Sequence, residues 1–359
     1  MKFSLQAIVR VSLLGAIILT QIGAAPQKER HDVSMYMHPQ RLVDVGGRRL
    51  NIICTGTGSP TVILDAGLGA DASAWRAVQP AIAHHTRVCS YDRAGMGFSD
   101  PTISSRDAAA MVSDLHALLR GVAISPPYVL VGWSLAGLYT RLYANRYPND
   151  VTGLVEVDPS SENDDANGSK IVPGRSLLLG RWRRQFHECA ANVSKGNCAF
   201  FQGGLARYRK ALSAAGCPHV DPQECALAEV RGDHQAQASY WRAAASEIDA
   251  IARSSAEVRA SQRPYGNLPL IVLTDSEDGD IDHVPDAVSD NVQRAIWAAK
   301  NKEHERIAKL SSVGTHFVVA GSMHAIQLDH PSTVVSAVDE VVDQARSSGR
   351  NERSTKSAR

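Results

Sequence analysis

No charge of either sign predominates in this chain. Its 359 residues hold 38 Lys and Arg against 37 Asp and Glu, a net charge of +1. Without a basic surplus, nothing in the composition calls for a nucleic-acid partner. None of the six cysteines falls in a C-x-x-C pair, which argues against a zinc site. The glycine-bearing segment Tyr91-Asp92-Arg93-Ala94-Gly95-Met96-Gly97-Phe98-Ser99 lacks the lysine and the spacing of a phosphate-binding loop. No cofactor and no metal is therefore expected. The apolar stretch Val11 to Ile22 is short for a membrane-spanning helix.

That stretch follows Lys2 and Arg10 and precedes Gly23-Ala24-Ala25, the layout of a secretory signal over residues 1–25. Export to a secreted or periplasmic location is expected, with an uncleaved N-terminal anchor as the alternative and no span in the mature chain. Cysteine usage agrees with an oxidising compartment. Cys189, Cys198, Cys217 and Cys225 cluster in one segment, and two bridges are expected there, most simply Cys189 to Cys198 and Cys217 to Cys225. Cys54 and Cys89 lie in two separate strand-like runs, and either a bridge or a pair of buried thiols would suit them.

Hydrophobic residues make up 44% of the chain, enough for one large core with an elaboration. Short β-rich runs come first: Arg41 to Val45, Arg49 to Cys54, Thr61 to Leu64 and Arg87 to Tyr91. Helices and strands then alternate: Arg106 to Leu119, Tyr128 to Val131, Leu138 to Tyr147 and Gly153 to Val157. The alternation resumes with strand Leu270 to Leu273, helix Asp290 to Leu310, strand Thr315 to Val319 and helix Ser332 to Ala345. Such alternation specifies a mostly parallel sheet covered on both faces, an α/β fold. Between these halves, residues 38–158 and 268–345, lies a helical insertion over 159–267. Its Trp182, Phe186, Phe200, Phe201, Tyr208, Tyr240 and Trp241 are placed at helical spacing, as core residues are. Residues 346–359, rich in Ser, Arg and Lys, are expected to form a solvated, disordered tail.

The most informative segment is Val129-Leu130-Val131-Gly132-Trp133-Ser134-Leu135-Ala136-Gly137, an apolar strand that turns sharply into a helix. A serine at such an apex needs small residues two positions either side, and Gly132 and Ala136 are small. The turn lifts the Ser134 hydroxyl off the sheet and sets the Leu135 N–H beside it. Read alone, Ser134 could equally be a helix cap. Acyl transfer by serine needs a base, an acid to orient it and donors for the oxyanion. His324, on the loop after the last strand, is the candidate base, while His316 and His330 better suit a capping role. Asp278, in the acidic turn after Leu273, is the favoured acid, and Asp158, at the end of the strand after the serine-bearing helix, is the alternative. In Asp65-Ala66-Gly67-Leu68-Gly69, the Leu68 N–H is the candidate second oxyanion donor beside Leu135.

Together the Ser134 turn, the Asp65 to Gly69 loop, the Tyr91 to Ser99 segment, the Asp278 turn and the Gly321-Ser322-Met323-His324 loop resemble the α/β-hydrolase family, in its order of serine, acid, histidine. The resemblance spans about Arg41 to Ala345 outside the insertion. It implies an eight-stranded, mostly parallel sheet, a helical cap inserted after the sixth strand, and a Ser134, Asp278, His324 triad. Ala136 stands where the family usually has glycine, and Ala66 where many members have histidine, so support for the Gly67 loop must come from elsewhere. A small-molecule ester is the expected substrate. The enzymatic rival is a peptidase of the proline-iminopeptidase type, which would need cap carboxylates such as Glu229, Asp233 or Glu247 to hold a free amino terminus. A third possibility is a silent hydrolase fold that only binds. Serine as nucleophile disfavours the dehalogenase branch, which uses aspartate.

Overall fold

Thr61–Asp65 and the run Tyr128 to Val131 are buried at every position, as strands covered on both faces must be. The computed structural model describes residues 32–164, 175–195, 198, 221–277 and 290–357. Its sheet holds eight strands: β1 (Arg41–Asp44), β2 (Arg49–Thr55), β3 (Thr61–Asp65), β4 (Val88–Tyr91), β5 (Tyr128–Trp133), β6 (Val151–Val157), β7 (Leu270–Thr274) and β8 (Thr315–Val318). They lie in the order β1-β2-β4-β3-β5-β6-β7-β8. Only the β1/β2 and β2/β4 pairs are antiparallel.

Parallel register places the loops that matter at one edge. Asp65 pairs with Gly132, Trp133 with Val157, and Val157 with Leu273. The residues after β3, β5, β6 and β7 therefore emerge side by side at the carboxyl edge, where open α/β sheets place their sites. Alternate strand residues feed opposite cores. Ile63, Leu130, Leu154 and Val272 enter one, with helices α2 (Ala108–Gly121) and α3 (Ala136–Arg146). Leu64, Val131, Val155 and Ile271 enter the other, with α1 (Gln79–Ile82) and the last helix.

Among the described residues, four helices lie between β6 and β7: α4 (Arg175–Asn192), α5 (Pro222–Gln235), α6 (Ala238–Asp249) and α7 (Ile251–Ser261). Phe186 and Trp241 pack edge to face at 5.6 Å with Cys189, Val193 and Ile248 around them. These two aromatics are core, while Phe200, Phe201 and Tyr208 lie outside the described residues. After β7 come α8 (Asp290–Ala308), β8, the short α9 (Ile326–Asp329) and α10 (Pro331–Ser357).

Helix α10 continues to Ser357, through the Ser-, Arg- and Lys-rich end for which the sequence suggests a solvated tail. Val334, Val338, Val341 and Val342 pack its first half into the core, and once nucleated a helix extends through polar residues at little further cost. Ser347 and Ser348 return hydrogen bonds to the carbonyls of Asp343 and Gln344. Cys54 and Cys89, for which two states were open, form a disulfide, because β2 and β4 place them directly opposite each other. Cys189 bonds Cys198 as expected. The expected Cys217 to Cys225 bridge rests on Cys217, which lies outside the described residues, as do residues 1–25. No described helix is long and apolar enough to cross a membrane.

Candidate active site

Ser134 sits between the end of β5 and the start of α3 with φ at +57°, a left-handed value that costs a side-chain-bearing residue about 1–3 kcal/mol. Its neighbours hold it there. Ser134 N–H donates to Val157 O at 3.1 Å, and Ser160 N–H donates to Ser134 O at 2.8 Å, so both sides of its backbone are tied to β6 and the residues after it. The close packing also explains Gly132, where a Cβ would lie 2.7 Å from Thr140 Oγ1 and 3.0 Å from Ala136 O. Ala136 is fully buried, so its extra methyl is accommodated in the core.

His324 follows β8 and directly precedes the start of α9. Its loop is held by Trp133 Nε1–H donating to His324 O at 2.9 Å and by Asp329 accepting from Met323 N–H. Its ring bridges two groups. Nδ1 lies 2.5 Å from Asp158 Oδ2, and Nε2 lies 2.9 Å from Ser134 Oγ. An ionised Asp158 can only accept, so Nδ1 carries the proton and Nε2 accepts from the serine hydroxyl. Serine, imidazole and carboxylate are thus in one hydrogen-bonded line, the arrangement a serine nucleophile requires.

The carboxylate on His324 is Asp158, the alternative acid of the sequence reading. The favoured Asp278 lies outside the described residues. Asp158 directly follows β6, has φ at +41° and is almost wholly buried. Burial pushes its carboxyl up, but the Lys300 ammonium and the His324 hydrogen bond outweigh that and hold it well below the usual carboxylate range. Lys300 comes from α8 and lies 3.2 Å from Asp158 while also donating to Asp275 Oδ1. Behind them, His304 Nε2–H donates to Pro159 O at 2.8 Å, leaving Nδ1 to accept from Thr274 Oγ1 at 2.6 Å. Burial lowers His304 to about 4, so it is neutral at ordinary pH.

Asp158, Asp275 and His324 bring ligand-type atoms within 4.8 Å of one another. Lys300 already supplies a positive charge to both carboxylates, so a metal ion there would compete with a built-in cation.

The loop after β3 is shaped by a buried arginine. Arg93 donates to Ala66 O and Gly67 O, pairs with Asp65 at 2.9 Å and with Glu247 at 2.9 Å, and is almost wholly buried. Glu247, from α6, also accepts from Gly69 N–H at 3.0 Å, and Tyr240 OH donates to Gly69 O at 2.8 Å. In a trans peptide the N–H points opposite to the C=O. With Gly67 O turned to Arg93, the Leu68 N–H points away from it. Gly67 packs so close that a Cβ would lie 3.0 Å from Ser134 Cβ. Leu135, the residue before α3, carries one of the amides that a helix start leaves without a helical partner.

The alpha/beta hydrolase family pattern matches residues 62–338, well over half of the chain. The chain belongs to that family. Among curated relatives of this chain, a pimeloyl-(acyl-carrier protein) methyl ester esterase of Sodalis glossinidius is 35% identical over 30% of this chain and 39% of its own. A 2-hydroxy-6-oxo-2,4-heptadienoate hydrolase of Pseudomonas putida is 33% identical over 32% of this chain and 42% of its own. The chain spans less than half the length of each of these relatives, and the same holds for others it matches. Among solved structures, a thermophilic esterase from Thermogutta terrifontis superposes with a TM-score of 0.55 at 20% identity, covering 83% of this chain and 94% of that one. The enol-lactonase from Burkholderia xenovorans gives 0.55 at 16% identity, covering 84% and 100%. At such identities the likeness is one of fold.

The sequence alone does not point to Arg93, Glu247, Lys300 and His304 in these roles. Arg93 lies within the Tyr91 to Ser99 segment, whose residues carry no individual role in the sequence, and Glu247 enters there only as an anchor for a free amino terminus. Lys300 and His304 share one face of α8 with Trp297, whose Nε1–H reaches Asp275 O at 3.1 Å. That stripe is visible in the sequence, but its partners are not.

Proposed function

We propose that this chain is a serine hydrolase that cleaves a carboxylic ester through an acyl-enzyme on Ser134. The observation that carries the proposal is the hydrogen-bonded line from Ser134 Oγ through His324 to Asp158. His324 Nε2 takes the hydroxyl proton as Ser134 Oγ attacks the carbonyl carbon, and Asp158 holds the imidazolium that forms. The Leu68 and Leu135 amides are the proposed donors to the oxyanion. Collapse expels the alcohol, which takes its proton from His324. Water, deprotonated by the same imidazole, then releases the acid.

An ester is favoured over an amide because an alkoxide leaves without the protonation that an amine requires. The peptidase alternative loses one of its three candidate anchors, since Glu247 is buried and committed to Arg93 and Gly69. Glu229 and Asp233 are exposed on α5, as solvated charges are. The relative named as a methyl ester esterase supports the same reaction class. The helices between β6 and β7 are read as a cap over residues 159–267, because α6 reaches the Gly67 loop through Glu247 and Tyr240. Residues 1–25 are read as an export signal, in keeping with the two disulfides.

The test is hydrolysis of short- and long-chain p-nitrophenyl esters beside a proline arylamide, by the protein and its Ser134→Ala variant. Ester turnover that vanishes in the variant, with fluorophosphonate labelling of Ser134, is the expected result. Amide turnover alone would replace this reading with the peptidase, and an unlabelled Ser134 in folded protein would overturn the acyl-enzyme.

A further inference from the structure

The acid at the end of β6 does not stand alone. Val157 pairs with Leu273, so the residues just past β6 and β7 lie beside one another, and two carboxylates, Asp158 and Asp275, are brought together behind His324. Both are buried. Two buried like charges at such a distance would push one of them to take a proton. Lys300 stands on both, 3.2 Å from Asp158 and in a hydrogen bond to Asp275 Oδ1. The pair of ion contacts raises the lysine's own proton affinity despite its burial. Two carboxylates and one ammonium leave the cluster with a single net negative charge facing the imidazole.

We propose that Lys300 is a positioning residue that fixes the charge behind His324, with Asp275 as its counter-ion, so that Asp158 stays ionised and its Oδ2 stays on Nδ1. The inference rests on the acyl-enzyme reading above. Lys300 touches no reacting atom and acts through Asp158. It comes from α8, not from the loops that bear Ser134 and His324, so it braces the acid from outside the strand ends. Asp275 does not contact His324 through any hydrogen bond among the described residues, and its role is to hold the ammonium where Asp158 needs it. Among the described residues, the other titratable groups near this cluster are His304 on α8, His316 on β8, and Asp329 and His330 beside the His324 loop. His304, at about 4, is neutral over the range in which the imidazole works. Arg306 pairs with Glu303 and Glu162 further along α8.

The charge count makes a signed prediction. Asp275→Asn leaves the cluster neutral, which disfavours an imidazolium at His324, so the acid limb of the pH profile of kcat/KM shifts to lower pH. A charge a few ångströms away in a partly buried site moves such a limb by about one pH unit. Adding Lys300→Met to Asp275→Asn restores one net negative charge, and the limb returns toward the wild-type position. Lys300→Arg alone keeps the wild-type limb. A second change that reverses the first is the signature of charge, because two structural injuries would add. If Lys300→Met folds poorly, Lys300→Gln in the Asp275→Asn background carries the same charge logic, and fluorophosphonate titration counts the active sites in every sample. A limb that neither substitution moves, or that Lys300→Met drives further in the same direction, overturns the role of Lys300 alone. Wild-type protein that is folded but unlabelled at Ser134 overturns the acyl-enzyme reading, and this inference with it.

Discussion

At Ser134 a single backbone angle decides whether a hydroxyl is a helix cap or a nucleophile. The positive φ aims Oγ at His324 rather than at the first turn of α3, and the strain is held by hydrogen bonds to Val157 and from Ser160. Substitutions here have distinct signatures. Asp158→Asn keeps the shape of the site but removes the charge that orients the imidazole, so kcat is expected to fall about 10⁴-fold, measured by steady-state hydrolysis. Gly67→Ala is expected to lower kcat with the fold intact, because the added methyl meets Ser134 Cβ at 3.0 Å and the Trp133 ring at 3.2 Å. A crystal structure of that variant with Ser134 unmoved and full activity would refute the steric account. The serine and histidine could be found from sequence because their local surroundings are chain neighbours. The acid is harder to rank: both Asp158 and the acidic turn after β7 end strands at the same edge, and position along the chain favours Asp278, whereas the side-chain geometry of the described residues sets Asp158 on His324.

The elements add a buried polar frame. Arg93 joins β3, its following loop and α6 through Asp65, Gly67 and Glu247, which supplies the support that Ala66 cannot. Breaking a buried ion pair by removing one partner typically costs about 3–5 kcal/mol. Arg93→Met is therefore expected to lower stability by about that amount in urea unfolding, and to reduce kcat in whatever fraction remains folded. Glu156, in the middle of the β6 neighbourhood, makes a different prediction. Burial raises its carboxyl to about 8 against an ordinary 4.5, despite Arg141 beside it. The folded state then holds this proton more tightly than the unfolded state, so its contribution is full below about pH 4.5 and is lost as pH rises to about 8. Thermal melts across that window should show stability declining with pH, with a smaller slope in Glu156→Gln.

At the scale of the whole molecule, two disulfides among the described residues tie parts of the chain together. Cys54 to Cys89 closes 35 residues and clamps the antiparallel part of the sheet, while Cys189 to Cys198 closes only 9. In the chain-entropy view the longer loop contributes about 4 kcal/mol and the shorter about 2.5 kcal/mol. Reductant is expected to lower the melting temperature, with most of the loss reproduced by a Cys54→Ala and Cys89→Ala double variant. A melting temperature indifferent to reductant would show that neither bridge carries stability.

What could be read before any fold was known are the features written in adjacent residues: the strand and helix periods, the small residues flanking Ser134, and the glycines of the Asp65 to Gly69 loop. These depend on backbone sterics and on the 2 and 3.6 residue repeats, which act over a few positions. The choice of Asp158 as the partner of His324, the opposition of Cys54 and Cys89, the Arg93 to Glu247 pair and the seat of Lys300 between two carboxylates join residues 25 to 166 positions apart. Such contacts are set by strand order and register, which a local pattern does not encode, so they emerged only once the sheet had placed its carboxyl ends together.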